Sequence, residues 1–213
     1  MINSSNTMNI KCGRPAKGCE KLSKERLLET ARQLLLANSY ANLTLDMVAK
    51  EAKVSLRTLY NLFDGKEGLF RALVKCDTDA LENILSDCDN CTDTLSHFGC
   101  VYLKNVTQPE IIRLRAVLLA EAPRFPELVT EFYGHGPANT LRLLAEFFRR
   151  KQSEGVIAAE LDATFLADQY LSLLRGERYY RLQLGLELTP APETIKLWAS
   201  EAAELFLKGC IIR

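Results

Sequence analysis

Apolar residues along this chain recur with the period of a helix almost from end to end. From Ser23 they fall at Leu27, Leu28, Ala31, Leu34 and Leu35, which predicts a helix with one buried stripe and Ser23 at its N-cap. A short second helix opens at Thr44 and places Leu45, Val48, Ala49 and Ala52 at i, i+3, i+4 and i+7. After Lys53 and Val54, Ser55 is placed to cap a third helix whose inward residues are Leu59 and Phe63, and Asp64-Gly65 ends it. A fourth is expected from Lys66 through Leu69, Phe70, Leu73 and Val74 to about Leu85.

The pattern stays helical over 93–106, 110–121, 126–153, 161–185 and 192–209, with punctuation at Pro109, Pro123 to Pro126, Gly155 and Thr189 to Pro192. No segment alternates with the two-residue period of a half-buried strand. The predicted fold class is therefore all-α: an N-terminal three-helix unit containing a helix-turn-helix at 44–63, joined to a larger helical C-terminal region. Residues 1–22 lack apolar periodicity and read as a flexible basic arm, 23–83 as the helix-turn-helix unit and 84–213 as the C-terminal region.

Charge gives these regions different partners. The net charge is zero over 213 residues, yet residues 1–75 carry 13 Lys+Arg against 7 Asp+Glu and residues 76–213 carry 14 against 20. A basic first third suits a polyanion, and an acidic remainder is expected to stay clear of it. Uneven solvated surface would give the same count, so the helix-turn-helix has to carry the inference.

Two short helices joined by a tight turn, the second capped and polar on its outer face, form a unit that can enter the major groove of duplex DNA. With Leu59 and Phe63 inward, the third helix turns Leu56, Arg57, Thr58, Tyr60 and Asn61 to solvent. They offer a guanidinium for guanine, an amide for adenine and hydroxyls for phosphate. Thr44, Ser55 and Lys66 stand at helix starts, where free amides and the positive end of the dipole favour a phosphate oxygen. Thr44 and Ser55 are caps in any case, and such contacts set register rather than specificity.

The Thr44–Phe63 run resembles the DNA-binding domain of the TetR/AcrR family. The resemblance rests on Val48-Ala49, Ala52 to Ser55, Leu59-Tyr60, Phe63, and Lys66 with Leu69. Two positions depart from that pattern, Ser39 and Lys53, where the family has glycine and where a positive φ is expected. Further on, Ala120 to Leu128, Phe132-Tyr133, Gly136-Pro137, Leu173 to Glu177 and Leu205 to Gly209 resemble an AefR-like C-terminal domain. The resemblance implies a homodimer on a near-palindromic double-stranded DNA operator, controlled by a small-molecule effector of unknown identity and most commonly repressing.

Independently, helix 192–209 carries Ile195, Trp198, Ala199, Ala202 and Phe206 on one stripe, with Leu197, Leu205 and Leu207 off it. One core does not absorb both faces, which points to a partner copy; a fully buried internal helix is the alternative. Ser172 and Gly176 are small enough for close approach. In the arm, Gly13-Arg14-Pro15 resembles minor-groove readers, though a plain leader has the same composition.

Other classes are poorly supplied. Seven cysteines, at 12, 19, 76, 88, 91, 100 and 210, suit a reduced compartment, and the lone Cys88-x-x-Cys91 pair is a weak signal for zinc or redox chemistry. None of the nucleophile-elbow, zincin, dinucleotide or P-loop patterns occurs, so no catalytic residue, cofactor or metal is expected. His97 reads as a surface polar residue and His135, between two glycines, as a loop or kink residue. No uninterrupted apolar run reaches the length of a membrane span, and no secretory leader is evident, so no membrane partner and a cytoplasmic location are expected. Two rivals stay open. A non-specific architectural DNA-binding protein would share the basic front, and a protein-interaction module with a degenerate reader would explain the exposed Leu62.

Overall fold

The computed structural model describes residues 17–74, 78–86 and 90–210, and every regular element among them is a helix. In chain order these are α1 (Lys17–Asn42), α2 (Leu45–Glu51), α3 (Leu56–Phe63), α4 (Gly65–Val74), α5 (Thr78–Ser86) and α6 (Cys91–Val106). They continue with α7 (Pro109–Glu121), α8 (Pro126–His135), α9 (Pro137–Ser153), α10 (Ala163–Gln183) and α11 (Pro192–Lys208). No described helix is long and apolar enough to cross a membrane.

Four helices, α7, α8, α9 and α11, begin on a proline. The missing N–H of proline costs nothing at the first helical position, where that donor has no intrahelical acceptor. This chemistry corrects one expectation, since 126–153 is not one helix. Pro137 cannot continue α8, and Gly136, at φ −115° and ψ −87°, turns the chain into α9. The 161–185 segment also bends, at Gly176 (φ 42°, ψ −164°), which breaks α10 from within. Ser23 is not an N-cap, because α1 begins at Lys17 and carries it inside the helix. The minor-groove reading of Gly13 to Pro15 and the Cys88 half of the Cys-x-x-Cys pair lie outside the described residues.

Two hydrophobic cores organise the molecule. One holds Leu27, Ala31 and Leu35 of α1, Val48 and Ala49 of α2, Leu59 and Phe63 of α3, and Leu69, Phe70 and Leu73 of α4. It also takes in Leu114 and Leu118 of α7 and Leu128 of α8, all far beyond residue 83. The other is built by α5, α6, α9, α10 and α11 around Phe98, Leu144, Phe148, Tyr170 and Ala199. Within it the helices pass closely at Gly99, where an added Cβ would stand 3.0 Å from Leu174 Cδ2 and from the Tyr170 hydroxyl. That hydroxyl donates to the Leu95 carbonyl at 2.7 Å, so the buried phenol is satisfied.

Candidate nucleic-acid interface

The first core fixes the reader helix from behind. Leu59 is fully buried and Phe63 nearly so, and between them they pin one face of α3. The remaining residues of α3, Leu56, Arg57, Thr58, Tyr60, Asn61 and Leu62, are exposed. Arg57 forms no hydrogen bond or ion pair with any described residue, so its guanidinium stands free above the surface.

Both expected caps are present. Thr44, in extended conformation, accepts from the Met47 amide through Oγ1 at 3.2 Å. Ser55 Oγ accepts from the Thr58 amide at 3.1 Å and also pairs with Thr58 Oγ1 at 2.7 Å. Each cap satisfies one of the four orphan amides of its helix and leaves others pointing outward.

Between the caps, the turn is a Schellman motif. The Lys53 amide donates to the Lys50 carbonyl at 3.1 Å and the Val54 amide to the Ala49 carbonyl at 2.9 Å. Such a closure needs a left-handed residue, and Lys53 supplies it at φ 55° without being glycine. Arg26 of α1 braces the turn from the side, its Nη2 donating to the Ala52 carbonyl at 3.2 Å. Ser39 has no such role: it lies inside α1, where helical dihedrals suit serine, so the expected positive φ does not occur there.

At the far end of α3, Asp64 is left-handed (φ 53°) and its amide donates to the Tyr60 carbonyl at 3.0 Å. Gly65 follows at φ 99°. A residue overlooked by pattern reading then matters, because a Cβ on Gly68 would run into the Phe63 carbonyl. Glycine there lets α4 lie against the end of the reader helix. A glycine inside an amphipathic run is the only trace of this in the sequence.

Lys66 is more engaged than its position at a helix start implies. Its Nζ donates to the Tyr40 carbonyl at 2.6 Å and lies 4.1 Å from the centre of the Tyr40 ring. It thereby adds a second donor to a carbonyl in the last turn of α1 that also accepts from the Leu43 amide at 3.3 Å, and it clamps α4 to that turn. Partial burial pulls its pKa below the usual lysine value, against the attraction of Glu121 on α7. Tyr40 is in turn shifted upward, chiefly by burial and then by Glu67 and Glu127.

Among the described residues no group of three or more His, Cys, Asp or Glu is placed to hold a metal ion. His135 closes α8, as its flanking glycines suggested, with Nε2 at 3.3 Å from Glu131. The same carboxylate reaches Arg71 of α4 at 3.4 Å.

Comparison with known proteins places these features. Residues 27–73 match the family described as bacterial regulatory proteins, tetR family, and residues 93–209 match the AefR-like transcriptional repressor C-terminal domain. The HTH-type transcriptional regulator YvkB of Bacillus subtilis is 28% identical over 189 residues, covering 88% of this chain and 96% of that protein. IcaR of Staphylococcus aureus, a negative regulator of the biofilm operon icaADBC, is 34% identical over 62 residues, 29% of this chain and 33% of its own.

Among solved structures, the flavonoid-responsive regulator FrrA superposes with a TM-score of 0.70 at 30% identity, covering 91% of this chain and 99% of that one. A putative TetR-family regulator from Mesorhizobium loti reaches 0.72 at 19% identity over 93% and 100%, a likeness of fold alone. The capped and braced α2–α3 pair occupies the middle of the first matched region, and the chain belongs to the TetR family of bacterial transcriptional regulators, with an AefR-like C-terminal domain.

Proposed function

We propose that the chain is a repressor that grips a near-palindromic duplex operator as a homodimer and lets go when a small-molecule effector binds its C-terminal region. The observation that carries the DNA reading is the free face of α3, where Arg57 and Asn61 stand one helical turn apart on a helix held rigid by Leu59 and Phe63. Arg57 reads guanine and Asn61 adenine, Leu56 meets a thymine methyl, and Thr58 and Tyr60 bind backbone. Thr44 and Ser55 offer their helix starts to phosphate. An ammonium carries three donors, so Lys66 can serve a phosphate while keeping its bond to Tyr40.

Dimerisation is supported by apolar surface that one copy leaves uncovered. On α11, Leu197 and Leu205 are 59% and 62% exposed, while Ile195, Ala199 and Ala202 face the core. Leu207, grouped in the sequence reading with the outward leucines, is buried instead, which narrows the free stripe to the other two. Tyr180 and Leu184 add apolar surface at the end of α10. A paired arrangement would set two α3 helices roughly 34 Å apart or somewhat more, one helical turn of DNA. Control by a small molecule is supported by the likeness to a flavonoid-responsive regulator, and repression by the likeness of the reader to a negative regulator.

Selection of bound sequences from random duplexes tests specificity and half-site spacing together. The expected outcome is two related half-sites in inverted orientation. Recovery of unenriched sequence would favour a non-specific architectural protein. With the selected duplex in hand, Arg57→Ala is expected to cost about 1–3 kcal/mol at one base position and little elsewhere. A uniform loss across all operator variants would make Arg57 a backbone contact.

A further inference from the structure

A cluster of basic and phenolic side chains lies where the two cores meet, and the DNA reader makes no use of it. Tyr102 of α6 belongs to the C-terminal core, Phe132 of α8 packs on the reader core, and Tyr179 of α10 is buried. Arg115 of α7 joins them: its Nη1 donates to the Tyr179 hydroxyl at 2.8 Å. Its guanidinium carbon stands 5.7 Å from the centre of the Tyr179 ring and 5.8 Å from that of Phe132. Arg175, the residue before the Gly176 kink, gives its Nε to the Leu171 carbonyl of its own helix at 3.1 Å.

The charges in this cluster are not balanced. A guanidinium carries five N–H donors, and each of these two gives one to the protein. Neither forms an ion pair with any described carboxylate. Both are half-buried, so desolvation weighs on them while a solute can still reach them. Both are also felt by the same two phenols. Burial pushes Tyr102 and Tyr179 up, and Arg115 and Arg175 oppose the shift at each. Two half-buried guanidiniums without a carboxylate partner leave N–H donors open to an anion.

Resting on the reading of the chain as a ligand-controlled regulator, we propose that Arg115 and Arg175, with Tyr102, Tyr179 and Phe132, form the effector site, and that its ligand is an aromatic carboxylate. The guanidinium fork matches a carboxylate in plane and spacing. The half-buried Phe132 ring beside Arg115 offers apolar surface to the ligand's ring. Position supplies the output. Arg115 follows Leu114 and lies one turn before Leu118, and both leucines are set in the reader core. An anion that engages Arg115 therefore acts directly on the helix on which the reader is seated.

The test titrates the full chain with 2-naphthoate and with its neutral isostere 2-naphthamide, by calorimetry. The acid is expected to bind about tenfold more tightly or better than the amide, as a charge-assisted pair requires. Arg115→Gln and Arg175→Gln are each expected to erase that preference in variants that still melt cooperatively and still recognise the selected duplex. Tyr179→Phe, which keeps the ring, is expected to weaken naphthoate only a few-fold. Equal affinity for acid and amide, or an unchanged preference in both arginine variants, overturns the proposal. Naphthoate that binds yet leaves duplex affinity unaltered overturns the effector role. Failure of both probes to bind a chain that still recognises its selected duplex sinks this site and leaves the DNA reading intact. A chain that selects no duplex sinks that reading, and this proposal with it.

Discussion

The reader core and the C-terminal core use the same residue types but gather them differently. In the C-terminal core the aromatic rings touch one another in sequence: Phe147, Phe148, Phe206, Tyr170, Phe98 and Tyr102 are linked by centroid separations of 5.1–6.3 Å. That core is closed by its own helices. The reader core has Tyr40 between Phe70 at 5.6 Å and Phe125 at 5.4 Å, and Phe125 comes from the turn between α7 and α8. Its aliphatic part likewise borrows Leu114, Leu118 and Leu128. A small unit of four helices, two of them of eight residues or fewer, buries too little surface to stand firmly by itself, and the borrowed residues supply what it lacks.

The comparison is most exposed to Leu114→Ala. If the reader depends on α7, this distant change is expected to cost about 2–5 kcal/mol, and hydrogen exchange should show α1 and α4 opening before α6 and α11. Uniform loss of protection in both cores would erase the distinction. Next comes Gly68→Ala, which forces a methyl against the Phe63 carbonyl and is expected to cost about 3 kcal/mol, at the upper end of overpacking effects. Thermal melting and duplex binding should fall together, because the end of α3 has to move.

Alkaline unfolding sharpens the difference from the other side. Tyr102, Tyr170 and Tyr179 all have pKa values raised by burial from the usual 10.0. They stay protonated in the fold while the unfolded chain ionises above pH 10, so the unfolded state binds fewer protons and stability falls. The contribution is intact below pH 10 and declines above it, by about 1.4 kcal/mol per pH unit for each such tyrosine until its own raised pKa is reached. The reader core holds one tyrosine of this kind, Tyr40, so the C-terminal helices are expected to lose amide protection first. The smallest effect is Lys53→Gly, expected to stabilise by up to about 1 kcal/mol by relieving a left-handed lysine. A drop in duplex affinity alongside that gain would identify the lysine as a phosphate contact.

What pattern reading recovered and what it missed follow from range. Helix period, serine and threonine caps and proline starts are local, so α2, α3 and their inward Leu59 and Phe63 were legible from spacing alone. Lys53 was legible too, since the turn demands a left-handed residue whatever its identity. Ser39 departs from the expectation because a glycine of the family pattern does not mark a turn in this chain, and the helix runs through it. The single helix expected over 126–153 runs across Gly136-Pro137, a pair that carries the C-terminal resemblance and also ends one helix and starts the next. Arrangements set by tertiary contact left no periodic trace. Nothing in the spacing of Leu114 or Leu118 says which core they enter, nothing near Lys66 announces Tyr40, and nothing around Arg115 announces Tyr179.

The chain crosses between the two cores three times, once between α4 and α5, once at Thr107-Gln108 and once at Gly136. The molecule is thus woven rather than strung, and a cut after residue 83 does not separate two independent modules. A chimera meant to exchange ligand response while keeping operator choice has to carry α7 and α8 across with the reader, or rebuild the surface they cover. Recombination among relatives faces the same restriction, so effector pockets and DNA readers of this design are expected to be inherited as a pair.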